Sequence, residues 1–258
     1  MIKLEHVVLA SPEQMEFIIE GMRNPMNSWE KSDSEITYET YEPWDDMSGG
    51  KYTIGTNDHS LMQRLANNGP VHRKYMRMIP VYVRITAPLY WWKEFDTYKV
   101  GTVANSCSTM HKIQEKEFTL EDFSTEHLNN FGISDLRDVI IRRLNQYRWI
   151  FIEWDSIDDN SKNAYGMHEK KDTWWQMIQL LPSSYNQTRN VMLNYEVLAN
   201  IYEWRKNHKL DEWREFCKWI EELPYSELIV GRDIVMTPNE IRIKMGLEPL
   251  LDPKYKEV

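Results

Sequence analysis

A chain of 258 residues is long enough to bury the core of one large domain or two small ones, and 41% apolar with 28% charged residues is the balance of a folded, soluble protein. A formal net charge of −9 argues against a surface that coats nucleic acid, since neutralising phosphates needs a surplus of Lys and Arg. Two cysteines at no paired spacing, Cys107 and Cys217, indicate neither a disulfide framework nor a zinc site. The N-terminal apolar run is too short and interrupted for a signal peptide, and no stretch reaches membrane-spanning length. The expectation is a cytoplasmic protein with no metal, no membrane segment and no nucleic-acid partner.

In chain order, Ile2 to Leu9 alternates and reads as a strand, and Ser11-Pro12-Glu13 supplies a cap and an N-terminal proline for an amphipathic helix to about Met22. Residues 24–55 are polar and turn-rich, with loops and room for short strands. A helix starts at Asn57-Asp58 and stops at Asn67-Asn68-Gly69-Pro70. PVYVRITAP, residues 80–88, is a proline-bounded strand leading into the aromatic helix PLYWWKEFDTY. Residues 100–111 lack helical periodicity and read as a loop or short irregular element. Long amphipathic helices follow at 134–154 and about 171–181. Residues 187–194 read as a short strand or turn, with helices from about Tyr195 and from Asp211, whose acidic start suits the helix dipole. In the tail, Thr237-Pro238-Asn239-Glu240 caps a short helix. Helices alternating with few strands predict an α/β (α+β) fold with a small central mixed sheet flanked by helices. Residues 1–230 form one domain and 231–258 a C-terminal extension.

Three segments carry candidate chemistry. Asn105-Ser106-Cys107-Ser108-Thr109 sets five short polar side chains between Lys99 and His111, able to ring a phosphate or a pyrimidine edge, or to make an ordinary Asn/Ser turn. Cys107 has no base at a diagnostic spacing, so nothing marks it as a nucleophile. His72-Arg73-Lys74 with Arg77 reverses the local sign of an acidic chain, as a phosphate receptor or a solvated turn would. Asn200, Trp204 and His208 fall on one helix face with Arg205 alongside, a row suited to a flat charged cofactor or to an exposed helix end.

In this order the segments resemble the flavin-dependent thymidylate synthase family. That family has a His-containing segment before a strand, then an R-H-R-x-x-S-x-N-E-x-S-x-R-Y signature, and later an L-P turn followed by a helix with Asn and Arg. His72 sits where the family has its first His. Tyr98 to His111 lies over the signature, with Asn105 and Ser108 matching its Asn and second Ser. Leu181-Pro182 lies over the L-P turn, and Asn194, Asn200 and Arg205 over the later ligand-contacting residues, with His208 near a family His. The likeness spans roughly residues 57–224. Tyr98-Lys99-Val100 replaces the R-H-R triplet, Ser106 the signature Glu, Met110 its final Arg, and Glu196 the Arg two residues past Asn194.

The resemblance implies FAD, with NADPH and methylenetetrahydrofolate as co-substrates, in reductive methylation of a deoxyuridine nucleotide by a homotetramer with shared sites. It assigns His72, Lys74, Arg77, Asn194, Asn200, Arg205 and His208 to the cofactor. Lys99, Asn105, Ser106, Cys107 and Ser108 fall to the substrate, with Arg205 and Ser108 as catalytic residues. The alternatives are a member that binds nucleotide or flavin without this reaction, as sensor, regulator or scaffold, and one that modifies a different pyrimidine nucleotide. Each charged hydrogen bond lost from a phosphate costs about 1.5–3 kcal/mol, which Arg73, Lys74, Arg77, Lys99 and Arg189 are available to offset.

Overall fold

Pro80 and Pro88 enclose nine residues whose side chains alternate between the interior and solvent, and this strand is the axis of the sheet. The computed structural model describes residues 2–38 and 50–231. Its elements are β1 (Lys3–Leu9), α1 (Pro12–Arg23), β2 (Glu35–Thr37), β3 (Lys51–Thr53), α2 (Thr56–Asn67), β4 (Pro80–Pro88), α3 (Leu89–Phe95) and β5 (Val103–Ser106). Then follow α4 (Asn130–Asp135), α5 (Arg142–Ile152), α6 (Asp159–Ala164), α7 (Lys170–Leu180), β6 (Asn186–Asn194), α8 (Tyr195–Arg205), α9 (Asp211–Glu221) and α10 (Glu227–Val230). The tail helix expected at Thr237–Glu240 lies outside the described residues.

Four strands form the main sheet in the order β1-β4-β6-β5, with β2 and β3 pairing separately. The expected small sheet flanked by helices is present, and every pairing in it is antiparallel. The alternation in β4 and β6 is that of an antiparallel sheet covered on one face; strands of a parallel sheet read as continuous apolar runs. β4 and β6 pair along their whole length, from Pro80↔Asn194 to Pro88↔Asn186. β1 carries a bulge between Glu5 and Val8, with His6 at φ 50°.

The covered face presents Val81, Val83, Ile85, Val191 and Leu193 to a core completed by Trp91, Trp92 and Phe95 of α3, Leu198 and Ile201 of α8, and Trp213 and Phe216 of α9. Trp91 stacks on Phe95 with ring centroids 5.0 Å apart and lies 4.7 Å from Trp213, which locks α3 against α9. A second cluster, built on Phe118, Phe123, Leu136, Leu144 and Met177, holds the α4 to α7 region together. At the front, Asp58 is fully buried and binds Arg23 at 2.5 Å, both serine hydroxyls of Ser32 and Ser34, and the backbone N–H groups of Asp33 and Ser34. That single carboxylate fastens the 32–34 strap and α1 to the start of α2.

Three expectations are refined. Residues 100–111 contain the short strand β5, whose ladder partner is β6, and 187–194 belong to a nine-residue strand inside the sheet rather than to a turn. The helix expected at 134–154 starts at Asn130 and passes through a π-helical stretch, Leu136–Ile141, where Val139, Ile140 and Ile141 crowd three β-branched side chains together. Among the described residues no helix is long and apolar enough to cross a membrane.

Candidate functional site

The sheet face opposite the helices is open. At its Pro88 end it is polar, because β4, β6 and β5 turn Arg84, Thr86, Thr188, Asn190 and Asn105 outward. Asn105 and Asn190 are ladder partners, so their two amides stand side by side. The Thr86 and Thr188 hydroxyls hydrogen-bond at 2.7 Å, and Arg84 Nε donates to Asn190 Oδ1 at 3.5 Å. A concavity of about 580 Å3 lies over this group and reaches Glu5, Ser106 and Cys107. A neighbouring one of about 250 Å3 takes in Lys3, Ser108 and Thr109.

The segment from Asn105 to Ser108 is held by its backbone. Cys107 N–H donates to Thr188 O at 2.9 Å, its carbonyl accepts from Gln187 Nε2 at 3.0 Å, and Ser108 Oγ accepts from His111 N–H at 2.9 Å. Asn105, Ser106, Cys107 and Ser108 are all exposed. Their amide, hydroxyls and thiol are available to a ligand lying on the sheet, which suits a polar heterocycle with several donors and acceptors. The second thiol, Cys217, is buried in the helical core, and burial pushes its pKa up to about 12.

The other expected residues lie around the junction of β6 and α8. Asn194 is the N-cap of α8: its side chain accepts from Val197 N–H at 3.0 Å and donates to Gly101 O at 3.4 Å. Arg73 pairs with Glu196 at 2.7 Å, which docks the 72–77 segment on the first turn of α8. His72, Lys74 and Arg77 are exposed; Arg77 donates to Pro70 O at 3.3 Å. Lys99 and Asn200 are also exposed, as is Trp204 at 70%.

Arg205 is engaged internally. Its Nη1 lies 2.6 Å from Glu94 Oε2, its Nε donates to Tyr98 Oη at 2.8 Å, and the guanidinium sits 4.7 Å from the Trp213 ring centre. Trp213 Nε1 donates to the same Glu94 oxygen at 2.8 Å, and His208 Nε2 stands 3.4 Å from it. Among the described residues the third guanidinium nitrogen, Nη2, has no hydrogen-bond or ion-pair partner. Arg189, considered as a spare cation, lies on the covered face, paired with Asp96 at 2.7 Å and 4.1 Å from the Trp92 ring centre.

The three segments therefore meet through Arg73–Glu196, Asn194–Gly101 and Arg205–Tyr98. Their free side chains do not share one cavity: the hollows bordered by Asn105 are lined by none of His72, Lys74, Arg77, Asn200 or Arg205. Sequence reasoning passed over Arg84, Thr86, Thr188 and Asn190. The signal was present, since every second residue of PVYVRITAP and NQTRNVMLN is the one that faces away from the core. Among the described residues no group of three His, Cys, Asp or Glu side chains is placed to hold a metal.

The chain, a small antiparallel sheet flanked by helices, has the fold of solved flavin-dependent thymidylate synthases. It superimposes on thymidylate synthase X from Helicobacter pylori, solved with FAD and dUMP, with a TM-score of 0.53 over 90% of this chain and 97% of that one, at 14% identity. A second structure of the Helicobacter pylori flavin-dependent enzyme, also complexed with FAD and dUMP, gives 0.54 over 89% and 98%, at 15% identity. No family model matches the sequence, and no curated protein does.

Proposed function

We propose that the chain is a flavin-dependent enzyme of the thymidylate synthase type, which methylates a deoxyuridine nucleotide reductively with methylenetetrahydrofolate and NADPH. The observation that carries this reading is the polar end of the open sheet face, built from the 105–108 segment on a fold shared with an enzyme that was crystallised with FAD and dUMP. Asn105 and Asn190 would read the pyrimidine edge, Ser106, Cys107 and Ser108 would line its pocket, and Arg84 and Lys99 would face the phosphate. Arg84 suits this task because it donates to the neutral Asn190 and makes no ion pair among the described residues, with Glu5 opposite it in the ladder as the carboxylate a phosphate would compete with.

The donor set around α8 also fits a flavin. His72, Lys74 and Arg77 have no ion-pair partner among the described residues, and the segment they belong to is docked on the helix that exposes Asn200 and Trp204. Unpaired cations beside donors and an exposed ring match a diphosphate joined to a flat heterocycle. Bound there, FAD would supply hydride transfer and carriage of the one-carbon unit. His72, Lys74, Arg77 and Asn200 would hold it, while Asn194 and Arg205 fix α8 relative to the 98–101 turn and His208 sits just past α8 beside Glu94. Ser108 and the free Nη2 of Arg205 are the groups assigned to the reacting ring.

The flavin-side and nucleotide-side residues border different hollows within one chain, so we assign the complete site to an assembly, a homotetramer in which neighbouring subunits bring the two together. Residues 1–230 would form this unit, 231–258 an extension, and the protein would work in the cytoplasm. A second reading, ligand binding without turnover, is favoured by the engagement of Arg205 with Glu94 and by Met110 in place of the signature Arg. Release of tritium from C5-labelled dUMP, in the presence of FAD, NADPH and methylenetetrahydrofolate, tests the first reading. Flavin-loaded protein that releases none supports the second.

A further inference from the structure

A cavity of about 280 Å3 lies at the Pro80 end of the sheet, opposite the end that carries Cys107 and Thr188. Aliphatic side chains from the end of β1, the first turns of α1 and the residue before β4 line it, namely Leu9, Met15 and Ile79. Three aromatic rings join them: Tyr52 from β3, Tyr195 from the first position of α8, and Tyr225 from the turn before α10. Among the described residues no charged side chain borders it.

Of the three tyrosine hydroxyls, that of Tyr195 is engaged, donating to the Pro224 carbonyl. What the cavity offers an occupant is chiefly ring and aliphatic surface. Tyr225 reaches its place only by adopting φ 55°, a left-handed conformation that a bulky side chain avoids. Strain of this kind collects where a ligand or a special geometry is held.

We propose that this cavity binds a flat, uncharged aromatic molecule of two fused rings, at a site separate from the open sheet face and standing whether or not the flavin reading holds. An apolar cavity of about 150 Å3 stays dry and takes benzene, so roughly twice that volume accommodates a second fused ring. An anion would lose its hydration on entry and would meet the field of Glu16, Asp58 and Glu227 around the tyrosines; a cation would find no carboxylate among the lining residues. The lining is mostly ring and aliphatic surface, so affinity comes from the rings, with a tyrosine hydroxyl at most meeting a single polar edge group.

The test uses the full chain and 5-fluoroindole as probe. Titration followed by fluorine resonance is expected to show saturable binding at one site. In methyl-labelled protein the Met15 signal, assigned with Met15→Leu, should move, while that of Met192 on the open sheet face stays fixed. Ala10→Phe, which places a ring in the cavity, should weaken binding at least tenfold with an unchanged circular dichroism spectrum; Tyr52→Leu serves if that variant does not fold. Absence of saturable binding, a Met15 signal that stays still at saturation, or full affinity in the folded cavity-filling variant overturns the proposal.

Discussion

Arg205→Ala separates a residue that waits for a ligand from one that already holds the fold. Truncation removes the 2.6 Å contact with Glu94, the 2.8 Å hydrogen bond to Tyr98 and the stacking on Trp213. Hydrogen bonds to charged groups contribute about 1.5–3 kcal/mol each when well buried, and a guanidinium over a ring about 0.5–1 kcal/mol. Glu94 is 35% exposed and keeps Trp213 as a donor, so water and the indole recover much of the loss. The net cost is about 2 kcal/mol after that discount, which lowers the melting temperature of a domain this size by roughly 4–8 °C. Differential scanning fluorimetry and urea unfolding measure it. Glu94→Gln and the double variant complete a cycle whose coupling term isolates the ion pair. A variant that melts with the parent, combined with zero coupling, would refute the structural role given to this network and return Arg205 to the list of free ligands.

Asp58→Asn leaves Arg23 buried without its counter-charge and should cost about 3–5 kcal/mol by urea unfolding. Burial alone would raise the Asp58 pKa, but the hydrogen bonds from Ser34, Ser32 and Arg23 outweigh it and hold the carboxyl below its ordinary value. Its contribution is therefore complete above the unfolded carboxylate pKa near about 3.9 and disappears as pH falls through the depressed folded value. The variant's stability should change less than the parent's over that acid range. Gly101→Ala should destabilise by more than about 1 kcal/mol, because Gly101 sits at φ 81° and an added Cβ would lie 2.9 Å from the Asn194 amide nitrogen. Thermal melts check this. With a disulfide reagent, native protein should show one fast thiol, Cys107, and release the second only on unfolding, since Cys217 is buried; two fast thiols would contradict the packing of α9.

Periodicity and punctuation made much of the fold legible. Prolines at both ends fixed β4 to the residue, and the serine cap with Pro12 set the start of α1, where the structure shows the reciprocal Ser11–Gln14 capping box. β5 was hidden because four residues are too few for a period and its ladder depends on a strand more than eighty positions later. β6 was read as a turn or short strand because its outward residues, Thr188 and Asn190, are turn formers that here face open space. The expected row of Asn200, Trp204 and His208 is shorter than its spacing implied: α8 ends at Arg205, leaving His208 beyond the helix, and spacing within a helix does not reveal that Glu94 and Trp213 arrive against Arg205 from elsewhere in the chain. The polar cluster at 105–108 was legible; its neighbours Arg84 and Asn190 needed the register of the sheet.

The most direct measurement of the central claim is equilibrium binding of FAD and dUMP to the purified full chain by isothermal titration, with gel filtration to record what is retained. One FAD per chain, tighter with dUMP present and weakened in Lys74→Ala and Arg77→Ala, is the predicted outcome. Folded protein that takes up neither ligand in excess would contradict the assignment.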